Sequence, residues 1–553
     1  MKTQAILAAL LATLPGAASA QPRHHKQVSR EVAQAPGADD ADAAPPRGDD
    51  DGDGPEAQAM LPVKLDDLIE VAVRLAPDLA RAKVDRSVAI DVAAGSRRDQ
   101  AWVMTSHAEY SRSAVADHVE VPPFSIVAQD QVSGGIGIAK NLPTGGQLSV
   151  EADLAHTNVE YNVYDRLFNG QGSAAQGSPT GTNQNNNPYE FQSQNQTKLA
   201  ATLKQPLARG FGPDVALANQ KKADLAATEA TIKAQLAAEE MVRDLVVAYW
   251  ELAYSSFEVD VRTQGVDLAK KQDQLTHEQI RAGAAPSTAL GSTTYEIATR
   301  EEALLRAQLD LEQKSLELRQ KAGLEMGKRD IVVKPGEVFD VGQDDFDVEE
   351  TLARSHQANR QLATVQLERK IADVDLAVAQ DQVKPQLDLQ LQGAVTGQGD
   401  STGESVGSIG DSFQVTAGIS MSFEVSGAAR RNRDAAQSKK HRLDIDRADL
   451  ERQIDVQVVT SVKKVTAART RVALADKAIA VAEDNVRAER ANFMAGRSTN
   501  FQVMQQQGQL IDARLGRGRA VADYHEAVAQ LQFLSGVLLE QYRVNVRPHH
   551  EAE

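Results

Sequence analysis

From Leu65 the apolar positions fall three and four apart: Leu65, Leu68, Ile69, Ala72, Val73 and Ala76. That spacing predicts an amphipathic helix, and Asp66 and Asp67 occupy its first turn, where the helix dipole favours acids. The period then changes. Leu148, Val150, Ala152 and Leu154 alternate with Gln147, Ser149, Glu151 and Asp153. Val132, Ile136 and Ile138 share one parity before the turn signal Leu142-Pro143-Thr144-Gly145-Gly146, and Leu199, Ala201 and Leu203 alternate with Lys198, Thr202 and Lys204. These are strands with one apolar and one polar face. Four are predicted, at about 102–112, 131–141, 147–158 and 195–205, with residues 169–188 forming a long exposed loop rich in Asn, Gln, Gly and Ser.

Beyond Gly210-Phe211-Gly212 the helical period returns and runs without proline from about Val215 to Arg281. At ~1.5 Å per residue that is roughly 100 Å of helix, more than a single compact domain needs. Gly283-Ala284-Ala285-Pro286-Ser287 interrupts it, and a second helix returns to about Ala322. The whole pattern is then written again. Val348-Glu349-Glu350-Thr351 through Leu362 matches Leu65-Asp66-Asp67-Leu68 through Leu79. Alternation reappears at Leu387, Leu389 and Leu391, and from Phe413 to Phe423. A second long helix is expected from Ala428 to Ala495. Gly496 closes it as Gly283 closes the first, and Gly323 and Gly536 end the two return helices at equal spacing. Such self-similarity decides the architecture: one unit of helix, strand hairpin, long helix, turn and return helix, duplicated. Along the second long helix Val465, Ala468, Val472, Ala475, Ile479, Ala482 and Val486 keep a 3.5-residue period, the seam of a left-handed coiled coil.

The first sixty residues differ. Lys2, the apolar run Ala5–Leu14 and Ala18-Ser19-Ala20 have the pattern of a cleavable secretory signal over residues 1–20. Residues 21–60 are rich in Pro, Ala, Gly and Asp and read as a disordered acidic linker. Asp49, Asp51, Asp53 and Gly54 imitate half of a calcium loop, but Met60 stands where its final Glu is required. The remaining divisions are a first repeat over 61–323, a connector over 324–347, a second repeat over 348–540 and a tail over 541–553. No segment outside the signal has the ~20 apolar residues of a membrane-spanning helix. Membrane insertion of an exported chain then requires a β-barrel.

Composition narrows the chemistry. The chain of 553 residues has a formal charge of −17, which argues against nucleic acid as a partner. Aromatic residues are only 4%, a balance suited to thin, close-packed helices. Cysteine is absent, which excludes disulfides, thiolate metal sites and thiol nucleophiles. No H-E-x-x-H, phosphate-binding loop or G-x-S-x-G occurs. His24-His25 and His549-His550 lie in polar termini, and acids such as Glu301 and Glu302 fall on solvated helix exteriors. No enzyme activity, cofactor or metal is expected.

At this point the residues resemble a family. The duplicated order behind a secretory signal is similar to that of TolC-like outer-membrane efflux proteins. Gln205-Pro206-Leu207-Ala208-Arg209-Gly210-Phe211-Gly212 resembles their strand-to-helix exit. Arg281-Ala282-Gly283-Ala284 and Phe493-Met494-Ala495-Gly496-Arg497-Ser498-Thr499 resemble the two periplasmic hairpin tips. The resemblance implies an α+β membrane protein in the bacterial outer membrane, a long α-helical coiled-coil barrel joined to a trimeric β-barrel. Each of three copies would give four strands to a 12-stranded wall held in outer-membrane lipid. Its function would be a passive exit duct for small molecules, served by a periplasmic adaptor and an inner-membrane pump of RND or ABC type. The same fold serves type I protein secretion, and a periplasmic coiled-coil scaffold without a pore is a third reading. Gly283, Ala284, Pro286, Ser287, Gly496, Arg497, Ser498 and Thr499 would form the adaptor-docking tips. The chain departs from the family pattern in three ways. Its first repeat has four strands instead of two, leaving open whether the extra hairpin near 131–158 joins the barrel. Gln502 and Gln505 stand where the family has entrance carboxylates, which implies weaker cation trapping. The second exit, Glu424-Val425-Ser426-Gly427, lacks the proline of the first.

Overall fold

A computed structural model describes residues 59–114, 125–162, 189–283, 286–324, 331–342 and 345–546. The secretory signal, the Asp49–Gly54 tract, Ala284 and the terminal histidine pairs lie outside the described residues. Strand β1 (Ala59–Val63) leads into helices α1 (Leu65–Leu75) and α2 (Pro77–Ser96). Four strands follow: β2 (Val103–Ala114), β3 (Ser125–Asn141), β4 (Gln147–Asn162) and β5 (Tyr189–Pro206). The short α3 (Pro213–Ala216) precedes α4 (Ala218–Arg281) and α5 (Ala289–Lys321). After β6 (Ile331–Pro335) the second repeat runs α6 (Val348–Ala358), α7 (Arg360–Gln382), β7 (Gln386–Gly399), α8 (Thr402–Gly407), β8 (Ser412–Ser422), α9 (Ala428–Met494), α10 (Asn500–Leu534) and α11 (Leu538–Gln541).

The duplication is visible in the backbone. Helix α1 stops at Ala76 (φ −62°, ψ 122°) and α6 stops at Asn359 (φ −65°, ψ 120°). Each stop is met by a glycine from the end of the matching return helix. Gly323 and Gly536 adopt φ of 71° and 67°. A Cβ on Gly323 would lie 2.5 Å from the Leu75 carbonyl oxygen, and one on Gly536 2.6 Å from that of Ala358. Both glycines therefore serve two ends: the left-handed turn that closes a helix and a close backbone approach. Leu65, Leu68, Ile69 and Ala72 turn inward from α1 and pack with Val242, Leu245 and Tyr249 of α4. The heptad seam of α9 is buried at Val465, Ala468 and Val472 and half-buried at Ala475, Ile479, Ala482 and Val486.

Two features are not written in local periodicity. β1 pairs in parallel with β6, Ala59 opposite Ile331 and Val63 opposite Pro335. It thereby takes in the end of the stretch read as linker and part of that read as connector. The six longer strands form one antiparallel sheet in the order β2-β3-β4-β5-β7-β8. The extra hairpin is thus part of a single sheet, with β4 paired to β3 on one edge and β5 on the other. Below the sheet, α4 packs on both α2 and α7, and α7 on α9. Where the first exit has Pro206, the second has Glu424. Its carboxylate accepts the N–H groups of Ala428 and Ala429, each at 3.0 Å, at the open end of α9. A hydrogen bond from Ser426 and these N–H groups hold the Glu424 carboxyl below the usual range.

Candidate channel wall and hairpin tips

Pairing fixes which side chains share a face of the sheet. One row reads Met104, Ile138, Val150, Ala201, Gly393 and Val415 across all six strands. The next row on that face reads Ser106, Ile136, Ala152, Leu199, Val395 and Phe413. A third reads Ala108, Gly134, Leu154, Thr197 and Gly397. These rows contain no ionisable residue. The intervening rows on the opposite face carry Glu151, then His107, Asp153 and Lys198, then Glu109. Over these rows an uncharged band lies opposite a charged face, the arrangement of a strand layer between lipid and water, and the band ends above at the Arg112–Asp130 pair. On the charged face Gly137, Ala200 and Ala394 are buried, whereas Ile136, Ile138 and Leu199 on the other are exposed. The sheet is thus concave on its polar side.

The rims of the uncharged face are marked. Lys140 sits 5.5 Å from the centre of the exposed Trp102 ring at the lower edge, a cation and an amphipathic ring suited to a membrane interface. At the upper edge Asn195 Nδ2 donates to the Asp400 carbonyl at 2.9 Å, and Thr197 lies 2.8 Å from Ser405 of α8. Polar contacts replace apolar side chains where the band ends. Within the charged face, Gly135 leaves room between His107 and Asp153, which approach to 3.5 Å; a Cβ there would lie 2.2 Å from Asp153 Oδ1.

At the far end of the long hairpins, Gly283 (φ 73°) and Gly496 (φ 70°) turn the chain. In the second tip Arg497 N–H donates to the Asn492 carbonyl at 2.9 Å and Gly496 N–H to that of Phe493 at 3.0 Å, the double bond of a Schellman cap. Thr499 then opens α10 in a reciprocal capping box with Gln502. Gln502 Oε1 accepts the Thr499 N–H at 3.0 Å and the Ser498 hydroxyl at 3.1 Å. Gln502 is therefore occupied in starting the helix, while Gln505 is exposed. In the first tip Pro286 and Ser287 accept the N–H groups of Ala289 and Leu290. The two tips are adjacent: Gln279 Nε2 of α4 donates to the Phe493 carbonyl at 3.3 Å.

One residue at this end is not singled out by sequence reasoning. Arg300 of α5 is buried between both hairpins. It donates to the Gly265 carbonyl of α4 at 2.9 Å, and to Gln507 and the Met504 carbonyl of α10 at 3.1 and 3.3 Å. In sequence it is one cation beside Glu301 and Glu302, and only Glu296, one turn earlier, signals an ion pair. Glu301 and Glu302 themselves are exposed and paired with Lys270 and Arg306. Among the described residues no cluster of His and acids could hold a metal, and no helix is long and apolar enough to cross a membrane.

Residues 351–537, the greater part of the second repeat, match the family model of outer membrane efflux proteins. The fold is similar to that of the outer membrane protein VceC of Vibrio cholerae, at 14% identity and a TM-score of 0.60, covering 85% of this chain and 96% of that one. It is also similar to the CmeC outer membrane channel of Campylobacter jejuni, at 11% identity and a TM-score of 0.62, covering 85% of each chain. The MtrE outer membrane channel of Neisseria gonorrhoeae matches at 11% identity and a TM-score of 0.59, over 86% of this chain and 89% of that one. No curated protein matches the sequence. The matched segment and the fold point the same way: residues 351–537 are similar to outer membrane efflux proteins, and the fold is similar to that of outer-membrane channels.

Proposed function

We propose that three copies of the chain close into one tube that serves as the passive exit duct of a tripartite efflux system. Small molecules would reach it from an inner-membrane pump of RND or ABC type through a periplasmic adaptor. The observation that carries this reading is the six-strand sheet with an uncharged convex face and a charged concave one. Such a sheet has two open edges, and lipid does not tolerate unpaired backbone, so several copies must close it. The half-buried lower seam of α9, from Ala475 to Val486, offers small side chains for packing between copies. The tips around Gly283, Pro286 and Ser287 and around Gly496, Arg497, Ser498 and Thr499 are the docking surface for the adaptor in this reading. The entrance beside them has the neutral Gln502 and Gln505, so it would bind cations less strongly than a ring of carboxylates.

The test is purification from outer membranes, native mass measurement and reconstitution into a planar bilayer. Three copies and discrete channel currents are expected. A protein that fractionates with the soluble periplasm and gives no conductance would refute the duct.

A further inference from the structure

We infer that the membrane wall of this channel contains eighteen strands, six from each copy, closed by pairing β2 of one copy with β8 of the next. The inference rests on the three-copy reading and adds the strand count and the closing edge. The occupant of both open edges is a second copy of this chain.

Four observations carry it. First, β4 has no free edge. It is paired from Gln147 to Asn162 with β3 on one side and β5 on the other. A wall of four strands per copy would need β3 stripped from β4, with the loss of that whole ladder. Second, the uncharged face does not stop at β4. Ile136 and Ile138 of β3 and Met104 of β2 continue it, and all three are exposed. The charged face continues too, through His107 and Glu109 of β2. Third, every residue of β2 and of β8 is exposed, so the open edges are these two. The strands alternate in direction across the sheet, so β2 and β8 run oppositely. A β8-to-β2 junction is then antiparallel, as closure of an even-numbered barrel requires.

The fourth observation is dimensional. Four helices lie side by side below the sheet, in the order α2, α4, α7, α9. At 8–10 Å between axes they span roughly 32–40 Å of circumference per copy. Six strands at ~4.8 Å, tilted by ~40°, span roughly 38 Å, whereas four would span roughly 25 Å. Six strands match the helical layer without a step. The extra width enters between β2 and β5, where the helices beneath, α2 and α4, pack directly on each other. The turn between β3 and β4 sits in that gap: Asn141 Nδ2 donates to the Asp99 carbonyl at 3.0 Å, and the Gly212 N–H donates to that of Thr144 at 3.1 Å. Eighteen strands give a wall roughly 35 Å across between backbones, against roughly 25 Å for twelve.

The chain has no cysteine, so introduced thiols are the only ones present. Thr105→Cys in β2 is combined in turn with Ser412→Cys, Thr416→Cys and Ser420→Cys in β8, and the protein is treated in outer membranes with a short bis-maleimide. Cross-linked dimers and trimers in at least one combination are expected, since β2 and β8 lie at opposite edges within one copy. The same β8 positions combined with Ser149→Cys in β4 should give none. Cross-links from β4 instead of β2, in an assembly whose native mass is three copies, would overturn the six-strand wall and leave the duct reading intact. A copy number other than three would overturn both. If neither pair reacts, an electron cryo-microscopy map of the wild-type assembly decides: eighteen strands support the inference and twelve refute it.

Discussion

Arg300 on α5 reaches across to α10, where its guanidinium donates to Gln507 Oε1 at 3.1 Å while also holding the Gly265 carbonyl of α4 at 2.9 Å. A buried cation thus fastens the first long hairpin to the second. Its removal leaves four oxygens without this donor: those of Gly265, Met504 and Gln507, and a carboxylate oxygen of Glu296. Arg300→Ala should therefore lower unfolding stability by about 3 kcal/mol. Arg300→Lys should lie nearer to Ala than to wild type, because one ammonium cannot reproduce a planar fork aimed at several acceptors. Denaturant unfolding of the three proteins in the same detergent checks this. A lysine variant as stable as wild type would show that charge alone matters there.

The four helix-ending glycines divide into two kinds. All four have φ near 70°. Gly283 and Gly496 have nothing within 4 Å of a built Cβ, whereas Gly323 and Gly536 face the Leu75 and Ala358 carbonyls. Alanine at the tips should cost the left-handed strain alone, roughly 1–2 kcal/mol. Alanine at Gly323 or Gly536 adds a backbone clash and should cost more. Thermal unfolding of the four single variants gives the ranking, and equal losses at all four would contradict it.

These glycines also show how much could be read from the chain alone. Their equal spacing gave the duplication, because a helix end needing positive φ leaves a residue type behind it. Alternation gave the six long strands, because apolar side chains recur at every second position along them. What was not legible depends on contacts between distant segments. β1 and β6 are five residues each and separated by the whole first repeat, so neither has a hairpin signal. Whether the β3–β4 hairpin belonged to the sheet depended on edge pairing, which periodicity does not encode. Arg300 looked like any solvated helix cation, because burial by a second hairpin has no local trace. Position in the family pattern makes Gln502 an entrance residue, and its capping bond to Thr499 emerges only in the tip geometry.

The two faces of the sheet give a paired substitution. Leu199 lies on the uncharged face and Thr202, on the next strand turn, lies on the charged one. In the proposed duct Leu199→Arg places a charge toward lipid and should reduce the stability of the membrane-inserted state by about 2–4 kcal/mol. Thr202→Arg points the same charge to the wet side and should cost under ~1 kcal/mol. Folding into lipid vesicles, followed by the heat-dependent gel shift of inserted barrels, separates the two. Equal loss would mean that the inside and outside of the wall are assigned wrongly.

Among the described residues the helical part has one carboxyl pushed above its usual range. Glu239 of α4 is 1% exposed and pairs with Arg360 at the start of α7. Burial pushes its pKa up to about 7, against the opposing pull of the Arg360 charge. Between the unfolded value of 4.5 and this one, the folded chain holds a proton that the unfolded chain has released. Stability from this group therefore falls as pH rises through that window, and the loss is complete above it. The total is on the order of 3 kcal/mol. Glu239→Gln removes the titration and keeps a side chain of the same size beside Arg360. The stability of wild type relative to this variant should decline between pH 5 and pH 8. The measurement is a urea midpoint for both proteins at several pH values in one detergent. A difference that grows in favour of wild type with rising pH would mean that the Arg360 pairing outweighs burial, and that the pKa of Glu239 is lowered.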